Sequence, residues 1–128
     1  MKLIAVGLFL CLVSVPGSST TALGYLVDAR CFQSQESNVN PDYINMPGAR
    51  DLDFEIRACF PRANKTKTFM AVLSNGEVLR LDAVGNVQAA KLVNAAKKPG
   101  KRQRYFDVKI TGTISNDIIH VDSIAPAN

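Results

Sequence analysis

Residues 68–82 read Thr-Phe-Met-Ala-Val-Leu-Ser-Asn-Gly-Glu-Val-Leu-Arg-Leu-Asp, two apolar, β-prone runs on either side of Ser74-Asn75-Gly76. An Asn-Gly pair tolerates the positive backbone angles of a tight turn, so residues 68–73 and 77–82 are expected to form a β-hairpin. Immediately after it, residues 87–98 change period. Ala89, Leu92, Val93 and Ala96 make an apolar helical stripe, Asn86 is the expected N-cap, Lys97 and Lys98 suit the C-terminal dipole, and Pro99-Gly100 ends the helix.

Alternation returns over residues 104–113, where Phe106, Val108 and Ile110 face one way and Tyr105, Asp107, Lys109 and Thr111 the other. Gly112 marks a bulge or bend, and a turn at Ser115-Asn116-Asp117 leads into a last strand over residues 118–124. Upstream, residues 23–29 read as a first strand with Tyr25 and Val27 on one face and Leu26 and Asp28 on the other. The Ser-, Asn-, Gln- and Pro-rich residues 33–47 are expected to form an irregular loop. Residues 51–59 form a short helix, with Leu52, Ile56 and Cys59 on one side and Pro61 as its stop.

The order is strand, long excursion with a short helix, two-strand hairpin, helix, two-strand hairpin. It specifies a mainly β fold, a small five-stranded OB-like barrel with a helix between strands 3 and 4. A helix-on-sheet α+β domain is the alternative.

The amino-terminal residues give an address. Met1-Lys2 supplies positive charge, residues 3–15 are almost wholly apolar, and residues 16–22 are small and helix-breaking. This pattern is a secretory signal peptide with cleavage expected near Ala22, leaving residues 23–128 as one domain, periplasmic or extracellular. The apolar run is short of the roughly 20 residues that cross a bilayer, so no integral membrane span is expected. Lipidation of Cys11 is disfavoured by the bulky Leu10 before it. Cys31 and Cys59 remain, and in an oxidising compartment they are expected to form a disulfide. There is no Cys-x-x-Cys redox motif.

The segment from Gly24 to Cys31, the strands around Asn75-Gly76, the closing Val108-Lys109-Ile110-Thr111-Gly112 and Ile118-Ile119-His120-Val121-Asp122-Ser123-Ile124 resemble a group of small exported bacterial proteins of unknown function. The chain departs from that group in having only Cys59 where its relatives carry more than one Cys, and in a longer basic stretch over residues 91–104. The resemblance implies export and a small β-rich domain. It implies no activity.

No motif for catalysis or metal binding emerges. Asp51-x-Asp53-x-Glu55 imitates the start of a calcium loop, but Ile56 stands where the required Gly would be and Arg62 where the bidentate Glu would be. A single His, His120, with two cysteines is no familiar zinc set. There is no nucleophile elbow, zinc helix or phosphate loop. Neither a cofactor nor a metal is expected, and the chain is read as not an enzyme. Asn64-Lys65-Thr66 is a glycosylation sequon for a eukaryotic cell, which the resemblance to bacterial proteins implies is incidental.

Charge gives the main functional expectation. The 128 residues carry 15 Lys and Arg against 11 Asp and Glu, a net charge of +4, with the positive excess from Lys65 onward. Lys97, Lys98, Lys101, Arg102 and Arg104 crowd beside Tyr105. The candidate ligand-binding residues are therefore Lys101, Arg102, Arg104, Tyr105 and Lys109, offering charge and an aromatic face. The expected role is a non-catalytic binding or envelope-associated module, monomeric or weakly associating. Its partner would be an anionic glycan, a lipid headgroup or an acidic protein, with nucleic acid less favoured. A structural or protein-interaction domain is the alternative, and a hydrolase or redox enzyme the least favoured.

Overall fold

A computed structural model describes residues 18–37, 51–96 and 105–127. In chain order its elements are β1 (Thr20–Asp28), α1 (Ala29–Ser37), α2 (Leu52–Ala58), β2 (Phe69–Leu73), β3 (Val78–Leu81), α3 (Ala83–Ala95), β4 (Asp107–Ser115) and β5 (Ile118–Pro126). The strands close into a barrel in the order β1-β2-β3-β5-β4, with β4 returning to β1. All neighbours are antiparallel except β3 and β5, which run parallel over only two residue pairs. This is the mainly β, OB-like barrel expected from the element order, with α3 between the third and fourth strands.

The alternation of each strand sorts its side chains between two cores. Leu26, Phe69, Ala71, Leu79, Val108, Ile110 and Ile119 fill the barrel, and α3 contributes Ala89 and Val93 to the same cluster. Val27, Met70 and Val72 point outward from β1 and β2, yet they are buried too, with Phe32 and Ile56. The excursion between β1 and β2 lays α1 and α2 over this outer face, so all five residues of β2 are buried. The Cys31–Cys59 disulfide, with Cα atoms 5.5 Å apart, ties the start of α1 to the end of α2.

Several boundaries differ from those expected. Residues 33–37 belong to a helix, because α1 buries Ala29 and Phe32 against the outer core while its other residues stay polar; residues 38–47 of the expected loop lie outside the described residues. β1 begins at Thr20, three residues before the expected strand, and Thr20, Thr21 and Ala22 pair with Gly112, Thr111 and Ile110. α3 begins at Ala83, four residues before the expected start at 87. Its cap is Asp82, whose carboxylate accepts from the Gly85 amide, and the Asn86 side chain accepts instead from the Phe69 amide at 2.9 Å. Lys97 and Lys98 lie outside the described residues.

The turns divide their roles differently as well. Between β2 and β3 only Gly76 takes a positive φ, +93°, while the Asn75 side chain accepts from the Glu77 amide. The tight turn with two positive φ values is Asn116-Asp117, at 53° and 64°. The expected irregularity at Gly112 is present as a register shift between Thr111 and Gly112, and a Cβ there would collide with the His120 carbonyl oxygen.

Two outcomes follow for stability. Gly112→Ala forces a methyl group against the backbone of His120 and Val121, and an overpacking cost of about 1–3 kcal/mol is expected as a lower urea midpoint. Replacing Cys31 and Cys59 with Ala frees a loop whose closure contributes about 3–4 kcal/mol in the chain-entropy model. Hydrogen exchange on that variant should show protection lost first in α1 and α2, with β4 and β5 the last to open.

Candidate functional site

Of the residues the sequence singles out for ligand binding, Lys101, Arg102 and Arg104 lie outside the described residues. Tyr105 has a structural task. Its ring packs 5.0 Å from that of Tyr25, centroid to centroid, at the edge of the outer core. Its hydroxyl donates to Asp53, and the same carboxylate accepts from Arg57 Nε at 3.0 Å. That hydrogen bond raises the Arg57 pKa above its ordinary value, and the guanidinium lies 6.0 Å from the Phe54 ring centre. Tyr105 thus fastens the approach to β4 onto α2. Lys109 is exposed on β4, between Leu23 of β1 and Ala125 of β5. It stands four positions along the chain from Tyr105.

A better-formed site lies where the barrel seam is shortest. β3 and β5 pair only through Arg80 with Ile118 and Leu81 with Ile119. Beside this seam a groove of about 380 Å³ opens between the ends of these strands, the first residues of β2, and α1 and α3. Ala29, Phe69, Leu81 and Ile118 give it apolar surface, while Gln33, Thr68, Arg80, Asp82, Asn86 and His120 give it polar groups.

Local structure fixes several of these groups. Arg80 lies between Leu79 and Leu81, so when those two turn into the barrel its side chain turns out to solvent. It has no ion-pair partner among the described residues. Asp82 ends β3 and is held by three contacts: its amide donates to the Ile119 carbonyl at 3.1 Å, and its Oδ1 accepts from Gly85 N at 2.9 Å and from Val121 N at 3.2 Å. The other oxygen, Oδ2, faces His120 Nδ1 at 3.7 Å, an ion-pair distance once the imidazole is protonated. No hydroxyl or thiol among the described residues is hydrogen-bonded to His120. The groove can instead hold an acid group against Arg80 and exchange hydrogen bonds around an apolar floor.

The carboxylates of the calcium-like sequence are spent elsewhere. Asp51 caps α2 by accepting from Phe54 N, Asp53 holds Tyr105 and Arg57, and Glu55 is buried. Among the described residues no three His, Cys, Asp or Glu side chains gather in a way that could hold a metal ion. Nor is any helix among them long and apolar enough to cross a membrane.

Sequence reasoning found His120 but not the groove, and it passed over Arg80. The available signal was an arginine flanked by two leucines in a strand expected to bury them. What alternation could not give was the meeting of β3 with β5, 38 positions apart at Arg80 and Ile118. Comparison with protein families, with characterised proteins and with solved structures finds no match to this chain, so its fold and its groove are the grounds for assigning a role.

Proposed function

We propose that the protein is an exported, non-catalytic binding module that recognises an acidic saccharide in the groove beside Arg80. Export is supported by the leader-like amino-terminal sequence, by the resemblance to small exported bacterial proteins, and by the Cys31–Cys59 bond, since disulfides persist in oxidising compartments. The observation that carries the binding role is Arg80 itself, a guanidinium without an ion-pair partner among the described residues, at the rim of a cavity with an apolar floor.

Each part of the groove matches a part of that ligand. A guanidinium pairs with a carboxylate or sulfate through two parallel donors. His120, Asp82, Gln33 and Thr68 offer donors and acceptors to hydroxyl groups, and the apolar floor suits the carbon face of a sugar ring. The strand-2 and strand-3 side of an OB barrel is a general place for oligosaccharide and oligonucleotide binding. Lys101, Arg102, Arg104 and Lys109 belong to this reading as the source of a positive field that draws an anion toward the surface, rather than as the contact point.

A second reading, a protein-interaction module, is favoured by Val84 and Val87 of α3, which are 55 % and 58 % exposed. Salt separates the two.

Calorimetric titration of the protein with acidic and neutral oligosaccharides of the same length, at low and high salt, tests the proposal. Acidic members should bind, binding should weaken with salt, and Arg80→Ala should reduce affinity about tenfold or more, the scale of a hydrogen bond to a charged group. Arg102→Ala/Arg104→Ala should slow association while leaving dissociation nearly unchanged. No difference between acidic and neutral sugars, or an unaffected Arg80→Ala variant, would sink the proposal.

A further inference from the structure

A second opening, of about 610 Å³, lies beside the disulfide. Arg30 reaches it from the first turn of α1, and Arg62 and Lys65 from the segment that joins α2 to β2. All three residues are exposed, and none has an ion-pair or side-chain hydrogen-bond partner among the described residues. One carboxylate, Asp28, lines the same opening, and both of its oxygens are committed. Oδ1 accepts from Cys31 N at 3.0 Å, and Oδ2 accepts from the Thr66 hydroxyl at 2.7 Å. Three cations therefore face one depression whose only acid among the described residues is turned to structural work.

The scaffold under these cations is fixed. The Thr66 hydroxyl accepts from Arg62 N at 2.9 Å while donating to Asp28, and Lys65 N and Thr66 N both donate to the Arg62 carbonyl. Asn64 adopts a positive φ of 64°, and its amide donates to the Asn94 side chain of α3 at 2.7 Å. The tight turn that carries Arg62 and Lys65 is thus pinned to β1 on one side and α3 on the other. Arg30 is held to the same place by the neighbouring Cys31, which is bonded to Cys59. A chain that gathers three like charges on rigid supports bears a repulsion that a bound anion relieves, and it meets little ordering cost on binding.

From this arrangement we infer that Arg30, Arg62 and Lys65 form a binding site for a small tetrahedral oxyanion, a phosphate or sulfate group. Two guanidiniums and an ammonium, one from α1 and two from the turn before β2, can each take a different oxygen of such a group, whereas a planar carboxylate offers only two. The site is separate from the groove at Arg80. Ala29 and Gln33 of α1 line the groove, while Arg30 and Cys31 line this depression.

Titrations of the isotope-labelled protein with sodium phosphate, sodium sulfate and sodium acetate, at matched ionic strength and followed by amide chemical shifts, test the inference. Phosphate and sulfate should give saturating shifts at Arg30, Cys31, Lys65 and Thr66, and acetate should not. Arg62→Gln/Lys65→Gln should weaken phosphate binding at least tenfold, Arg62→Lys/Lys65→Arg should retain most of it, and Arg80→Ala should leave it unchanged. Unperturbed shifts in β4 and β5 will report that each variant is folded, which its exposed positions favour. Non-saturating shifts shared by all three salts, equal saturation by acetate, or unchanged affinity in the Gln variant would each overturn the site.

Discussion

The carboxylate of Asp28 is the contact on which the outer half of the molecule depends. Asp28 is the last residue of β1. One of its oxygens accepts from Cys31 N, which starts α1, and the other accepts from the Thr66 hydroxyl, which holds the turn before β2. Its own amide donates to the Cys59 carbonyl at 2.8 Å, and the next amide, Ala29 N, donates to the Thr68 carbonyl. A barrel strand, two helices, a disulfide and the approach to the second strand thus converge on one residue. A capping side chain contributes about 1 kcal/mol on its own. Here the same group also fixes where the outer layer sits, so its loss would be felt through α1, the disulfide and the packing of Phe32 and Ile56.

The device recurs. Asp28, Asp51 and Asp82 each accept from the amide three residues on, at the start of α1, α2 and α3 respectively. Two of the three follow a strand directly, so the carboxylate that starts the helix also reaches another part of the barrel: Asp28 the Thr66 hydroxyl, Asp82 the Val121 amide. A small domain has little interior with which to orient its helices. Placing the cap at the strand end solves this locally, because the direction of the strand then determines where the helix begins.

These particulars explain what could be read from the sequence and what could not. Strand alternation identified the inward face of β4 and the residue before it, since Phe106, Val108 and Ile110 must hide on one side, while in β1 it separated Leu26 from Val27 without saying which turns inward. The pair of hairpins around a helix then gave the barrel, and the two cysteines beyond the leader-like segment gave the Cys31–Cys59 bond. The first helix was missed because, beyond Phe32, residues 33–37 are polar and carry no period; it is secured by its cap and by the disulfide, neither of which is a hydrophobic pattern. The early start of α3 was missed for a related reason, with Asn86 taken for the cap that Asp82 supplies. Tyr105 was read as outward and therefore available for a ligand. It is outward, but a second layer of structure lies outside the barrel there, and its ring and hydroxyl are both engaged by that layer.

The distribution of cations follows from the same two-layer plan. Where α1 and α2 cover the barrel, an outward residue must be apolar, as Val27, Met70 and Val72 are. Where that cover ends, an outward residue meets solvent, and Arg80 and Lys109 stand there. The groove and the depression beside the disulfide lie on either side of the first turn of α1, at the margin of the covering layer. At such a margin a side chain can keep its charge hydrated while the rigid elements beneath hold its backbone in place. The basic run over residues 97–104 is marked in the sequence by its charge, and clustered charge creates a field without specifying a geometry. Charge density therefore speaks to the class of partner and is silent on the place of contact. The two proposed sites rest instead on single cations, Arg80 on a strand and Arg30, Arg62 and Lys65 around the Asp28 junction, whose surroundings depend on which distant elements the barrel brings beside them.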